Sequence, residues 1–350
     1  GGAAVAINLI DTPVTVDVDG GVTASDTTSI TANADQTVVT LAIGGAGAGG
    51  FSLGGSVAVT ELGGNVGINV NPTSAKNWSV TSLNVASSDS SSITSIAGAL
   101  GIGVGFGGVG VALGLVTQTR SVTTHLNGSL TIVASGHVSV SAGTQPPVSE
   151  ISNPYRDQAF AGLPNDAFDS IDASGESVVD KGTEKSAQMV NIGAAIAGSK
   201  LAAIGFNLAK TTITRTIDAS VDSTVAVTLT SNSTATIEEA GMTAGLDVSA
   251  TDNSSIVTVS VGVAGAGISA SAVAIAVGGS VALSEIDSSV IAQIKDGSTI
   301  NLHNQSDLNV RATNTTKIIA IGLGASAAVG GASGAGAVGF AAGVNKITAQ

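Results

Sequence analysis

Apolar and small polar residues alternate along most of this chain. Val14-Thr15-Val16-Asp17-Val18 and Ile213-Thr214-Arg215-Thr216-Ile217 place an apolar side chain at every second position, the period of a half-buried strand. Val, Ile and Thr suit a pleated surface. A second pattern, aliphatic–x–Val–x–Ala followed by Asp or Asn, occurs over 246–252 and again over 308–314. Each copy leads into an aliphatic run, Ile256-Val257-Thr258-Val259 or Ile318-Ile319-Ala320-Ile321. Leu83-Asn84-Val85-Ala86, with Asp89 and Ile93, is a looser copy. Between the runs stand Asp19-Gly20, Pro72-Thr73-Ser74, Asn127-Gly128-Ser129 and Asp296-Gly297-Ser298, which are turn chemistry. Little of the chain carries a helical period.

The pattern repeats. Gly1-Gly2, Gly54-Gly55 and Gly107-Gly108 each open an apolar stretch, about 53 residues apart, and Gly278-Gly279 opens another. Self-similarity of this kind marks stacked units that bury a core only together. The predicted fold is all-β: a repetitive parallel β-helix with Val, Ile, Leu and Ala inward and Ser, Thr, Asp and Asn outward. Coils of about 20–25 residues would put two or three in each period. Gly54, Gly55, Gly107, Gly108, Gly278 and Gly279 are read as structural, allowing close approach of two sheets or of two neighbouring filaments. The uncharged run 98–116 is long enough to cross a bilayer. It is studded with Gly, keeps step with the strands and lacks flanking Lys, Arg or an aromatic belt. It reads instead as strand covered on both faces.

Composition narrows the interior. Of 350 residues 47 are Gly, aromatics are 2% and charged residues 11%. A thin interior takes small fillers and has little room for rings, whereas an ordinary domain surface carries about 25% charge. Mean hydropathy is +0.44, so apolar burial is available and the chain is unlike a disordered one. The net charge of −13 and the absence of a basic stripe exclude nucleic acid as a partner. Cysteine is absent, which removes thiol chemistry and disulfides.

One segment breaks the repeat. Over 145–188 stand Pro146, Pro147, Pro154 and Pro164, the lone Tyr155, and acids at Asp166, Asp169, Asp172 and Glu176. Proline and charge cannot continue a central ladder. The expected organisation is 1–144 as stacked repeats, 145–188 as an insertion leaving the stack, and 189–350 as repeats resuming it. Insertions in repeat arrays often carry binding, which makes Tyr155, Arg156, Phe160 and Phe168 the candidate partner contacts. The first and last residues both fall inside a repeat, so the chain is expected to be part of something longer.

No constellation for catalysis emerges. His125, His137 and His303 are scattered, and no metalloprotease, nucleophile-elbow or P-loop pattern occurs. Gly101-Ile102-Gly103-Val104-Gly105 lacks the strand–helix context of a dinucleotide fingerprint. Asp17-Val18-Asp19-Gly20 lacks the further ligands of a calcium loop. Polysaccharide cleavage would gather acids, Arg and stacking aromatics, for which Trp78, Tyr155 and four arginines are little material. No catalytic, cofactor-binding or metal-binding residue is assigned.

Gly45-Ala46-Gly47-Ala48-Gly49-Gly50, then Gly54-Gly55-Ser56-Val57-Ala58-Val59, the alternating Val/Thr strand and the Leu-x-Val-x-Ala strand together resemble the repeats of very large exported bacterial proteins. The nearest are leukotoxin-type and filamentous-haemagglutinin-like adhesins of two-partner secretion. The resemblance is one of repeat texture and covers most of the chain outside 145–188. It implies a right-handed parallel β-helix, export across an outer membrane, and a role in adhesion, matrix or surface fibres. The family's secretion domain is not in this segment, and its repeats carry no catalytic residues.

The expected function is a structural extracellular β-solenoid segment that builds a cell-surface or matrix fibre by head-to-tail and lateral self-association, without a membrane span in this segment. The alternative is an adhesin or toxin segment that binds a surface or glycan through the insertion. A polysaccharide-active β-helix enzyme is a minor third.

Overall fold

The computed structural model describes residues 1–145, 188–230, 236–237, 242–267, 273–303, 306–330 and 334–350. The proposed contacts Tyr155, Arg156, Phe160 and Phe168, and nearly all of the predicted insertion, lie outside the described residues.

The chain is all-β, and it passes repeatedly through four parallel sheets. The first pass comprises β1 (Gly2–Asp11), β2 (Val14–Val18), β3 (Thr27–Ala34) and β4 (Thr37–Ala48). The second comprises β5 (Phe51–Gly63), β6 (Val66–Val70), β7 (Lys76–Val80), β8 (Ser82–Asp89) and β9 (Ser92–Gly103). The third has β10 (Gly107–Leu126), β11 (Leu130–Ala134), β12 (Val138–Thr144) and β13 (Met189–Ser199). The fourth has β14 (Ala202–Val221), β15 (Val225–Leu229), the short β16 (Thr236–Ile237), β17 (Met242–Asp252) and β18 (Ser255–Ala266). The fifth has β19 (Ala274–Ile294), β20 (Thr299–Asn301), β21 (Asp307–Asn314) and β22 (Lys317–Ala328), and β23 (Ala335–Ala349) begins a sixth.

A long sheet has the order β1-β5-β10-β14-β19-β23, with β6 alongside β10 and β2 alongside β6. A short sheet holds β7, β11, β15 and β20. A return sheet holds β3, β8, β12, β17 and β21, and a facing sheet holds β4, β9, β13, β18 and β22. Every one of these ladders is parallel; among the described residues only β16 pairs antiparallel, with β17.

Register corrects the expected coil. Gly2 lies opposite Gly54, and Gly54 opposite Gly110. The ladder continues through Gly205, Gly278 and Gly339. One circuit therefore takes the whole period, about 52–56 residues over the first steps, rather than a half or a third of it. The Gly-rich block and the alternating run after it form one strand, as in the 20-residue β10, instead of separate short ones. The doublets at 54 and 107 are also out of step, since Gly107 faces Phe51 and Gly108 faces Ser52. The predicted turns hold: Gly128 (φ 73°) and Gly297 (φ 90°) reverse the chain between long and short sheets, a conformation that favours glycine.

The interior changes along each long strand. At the C-terminal end the long, short and return sheets enclose a thick aliphatic core, with Ile68, Leu126, Ile132, Val140, Ile217 and Leu246 fully buried. Trp78 belongs to it, and its indole N–H donates to the Gly20 carbonyl at 2.8 Å. Nearer the middle Leu62, Ile93, Val116, Met189, Ile213 and Ile286 form a second cluster. Beyond it the long and facing sheets lie against each other as a thin wing, joined by tight reversals such as 49–50 and 104–106.

Inside the wing the inward positions are Gly, Ala, Ser, Thr and Asn. A Cβ at Gly54 would overlap the Leu100 carbonyl oxygen of the facing sheet, and one at Gly108 the Gly198 carbonyl. Gly205 stands likewise against Val263, and Gly278 against Ala325. Sheets usually pack about 10 Å apart; backbone this close leaves room for one or two heavy atoms. Alanines fill what remains, Ala58, Ala97, Ala112 and Ala195 among them. The polar side chains bond across the gap: Thr40 and Thr60 hydroxyls at 2.5 Å, Thr258 to Thr211 at 2.8 Å, and Asn207 Nδ2 to Ser260 at 2.6 Å.

Candidate interaction surface

The inside-aliphatic expectation therefore fails in the wing, where the same alternation presents the opposite faces. With aliphatic side chains unable to fit between the sheets, the large residues of β1, β5, β10, β14, β19 and β23 point outward. Register aligns them into rows across the long sheet. Val5, Val57, Leu113, Leu208, Val281 and Ala342 form one row. Leu53, Val109, Ile204, Val277 and Val338 form another. Between them runs Ala3-Gly55-Val111-Phe206-Gly279-Phe340. The reading of the Gly-rich run 98–116 as strand covered on both faces is corrected: Leu100 is 40% exposed, Ile102 46% and Val111 39%. A fourth row, Ile7 to Val344, is interrupted only by Lys210. Glu61, Thr117, Thr212, Glu285 and Lys346 then mark a polar border.

The six glycines divide between the two sides. Gly54, Gly108 and Gly278 point inward and permit the sheet contact. Gly55, Gly107 and Gly279 lie on the outer face. The Phe340 ring covers Gly279, with Phe206 beyond it at a ring-centroid distance of 6.2 Å. A Cβ on Gly107 would lie 2.7 Å from the Phe51 ring. Rings lying over glycine gaps level the surface. Gly55 has only the Val111 carbonyl oxygen near it, at 3.9 Å.

The outer side of the facing sheet carries similar rows, such as Leu41, Ile96, Ile192, Val259 and Ile321. Part of it is already covered, with Val190, Ile192, Val257 and Val259 buried.

A charged network sits between the two aliphatic clusters, and sequence reasoning missed it. Arg120 and Arg215 are neighbours on the long sheet and point inward. Arg120 Nη1 donates to Asp89 at 3.0 Å and to Ser91 Oγ at 2.9 Å; its Nη2 donates to Gln36 at 2.8 Å and to the Gly63 carbonyl at 2.9 Å. Arg215 Nη2 reaches Asp89 at 3.3 Å, and Nη1 lies 3.7 Å from Asp252. All four charged side chains are fully buried. Asp89 also accepts from the Ser91 N–H, and Asp252 from the Ser254 N–H. Two cations and two anions balance, so the network carries no net charge to attract a ligand. Its available signal was an Arg within the alternating runs of β10 and β14 and the Asp that closes two of the aliphatic–x–Val–x–Ala strands, at 89 and 252.

The remaining candidates resolve individually. His125 Nε2 lies 3.2 Å from Asp218. Asp19 accepts the Thr73 backbone N–H at 2.7 Å, joining one circuit's turn to the next. Among the described residues no group of three His, Cys, Asp or Glu is placed to hold a metal ion, and no helix is long and apolar enough to cross a membrane. No family model, curated protein or solved structure matches this chain.

Proposed function

We propose that the circuits close into a β-solenoid whose role is structural, as a segment of an extracellular or cell-surface fibre. The observation that carries this reading is the stack itself. β1, β5, β10, β14, β19 and β23 pair in parallel, with Gly2, Gly54, Gly110, Gly205, Gly278 and Gly339 in one column. A chain that adds one strand to each sheet at every pass grows along a single axis. The same parallel register, continued from one copy to the next, builds a fibre. The resemblance to exported repeat proteins supports the extracellular placement, and the −13 charge suits a soluble exported surface.

Electron microscopy and fibre diffraction of the purified chain test the proposal. Filaments with a repeat of about 4.8 Å along their axis are expected, since strands run across the stack. Isolated particles one chain long at every concentration would overturn it.

A further inference from the structure

We infer that the outer face of the long sheet in the wing is an interface for a second copy of this chain, meeting it face to face. Six strands about 4.8 Å apart and four or five outward positions about 6.8 Å apart make a patch of roughly 650 Å². That exceeds the apolar patch of a typical monomer, about 300–600 Å². It approaches the ~800 Å² that each partner contributes to a standard stable interface.

Its composition points to a protein partner of the same kind. The centre is aliphatic with the Phe206–Phe340 pair, the charge is confined to Lys210 and the border row, and the surface is levelled where rings lie over glycines. Flatness allows the patch to be self-complementary, so that one two-fold operation buries both copies. A highly acidic chain repels its own copies elsewhere, which confines association to a face that lacks acids. A lipid surface fits less well. Membrane-surface binding draws on Lys and Arg at the border and on interfacial Trp, whereas here the border's Lys346 is paired with Glu285, Glu61 adds an acid, and the only Trp is buried. The pairing is lateral and does not depend on the fibre reading.

The test uses the full chain with Leu113→Glu and Leu208→Glu together, two outward residues at the centre of the patch. Sedimentation velocity and mass per unit length are measured at micromolar concentration. The wild type is expected to carry twice the mass per unit length of a single stack, and the variant half of that, with an unchanged strand spectrum and, at dilutions where neither is paired, the same melting temperature. Because the chain lacks cysteine, Leu113→Cys gives a second readout that needs no added charge. Its thiol should be protected from alkylation in the paired state and become reactive on dilution.

A wild type of single width throughout, or a variant of undiminished mass, would overturn the inference. So would capture of the wild type by phosphatidylcholine vesicles in place of self-pairing. Discrete dimers without filaments would support the pairing while removing the fibre proposal. Long, single-width filaments of the variant would support both.

Discussion

At the residue scale, the consequence of a methyl group depends on which side of the sheet it occupies. Gly205→Val should lower stability by about 2 kcal/mol or more, since the new atoms meet the Val263 backbone rather than a movable side chain. Gly55→Ala, on the outer face, should leave thermal melting almost unchanged. Equal melting of the two would remove the case for close sheet contact. Asp89→Asn tests the buried network. It leaves Arg120 without a carboxylate in a dry site, which should cost about 3–5 kcal/mol in chemical denaturation. Asp218→Asn, beside His125 at a partly exposed position, should cost no more than about 1 kcal/mol. The recurrence of the glycines was legible from their spacing, but not the side each one faces. Alternation fixes a period and leaves its phase open, and only the facing backbone decides between Gly54 and Gly55. Arg120 and Arg215 looked isolated because their carboxylates stand on strands of another sheet, 31 residues or more away in the sequence.

At the scale of the element, the strands and their turns followed from Val/Thr alternation and from Asn-Gly and Asp-Gly pairs. Their lengths did not. A continuous 20-residue strand such as β10 carries a thin zone, a polar divide and a thick zone in succession, so its inward residues shift from Gly and Ala through Gln118 and Arg120 to Val122 and Leu126. That shift resembles several short strands until register is known. The terminal strand offers a pH test. The Lys346 ammonium donates to Glu285 on β19 at 2.5 Å. This hydrogen bond, together with the Lys346 charge, holds the Glu285 carboxyl below its ordinary value against a smaller opposing effect of burial. The same bond and the Glu285 charge raise Lys346 above its own. The carboxylate's contribution is present above the unfolded carboxylate pKa and is lost as pH falls through the depressed folded value. The ammonium's contribution is present below the unfolded lysine pKa and is lost as pH rises through the raised folded value. β23 should therefore be held best between those ranges. Hydrogen exchange, corrected for intrinsic rates, should show β23 amides opening more readily at pH 3 than at pH 7. Glu285→Gln should remove most of that difference, and an unchanged difference would place its cause elsewhere.

At the scale of the molecule, the organising feature is that aliphatic residues fill one half of each circuit and coat the outside of the other. The thick half behaves as any core does. The wing places hydroxyls and amides between its sheets and turns aliphatic rows outward, so a scale that treats burial and hydrophobicity as one property misassigns it. The repeat was visible in the sequence; the number of circuits per repeat was not, because no turn signal distinguishes a short coil from one leg of a long one. Register settles it and can be measured in solution. With no native cysteine, Val5→Cys and Ala342→Cys can each take a spin label, and pulsed dipolar spectroscopy on dilute protein gives their separation. Five strand steps separate these two residues along one row, so a distance near 24 Å, broadened by the label arms, is expected. Coils of 20–25 residues would part the same labels by roughly 55 Å or more, and a distance in that range would contradict the circuit described here.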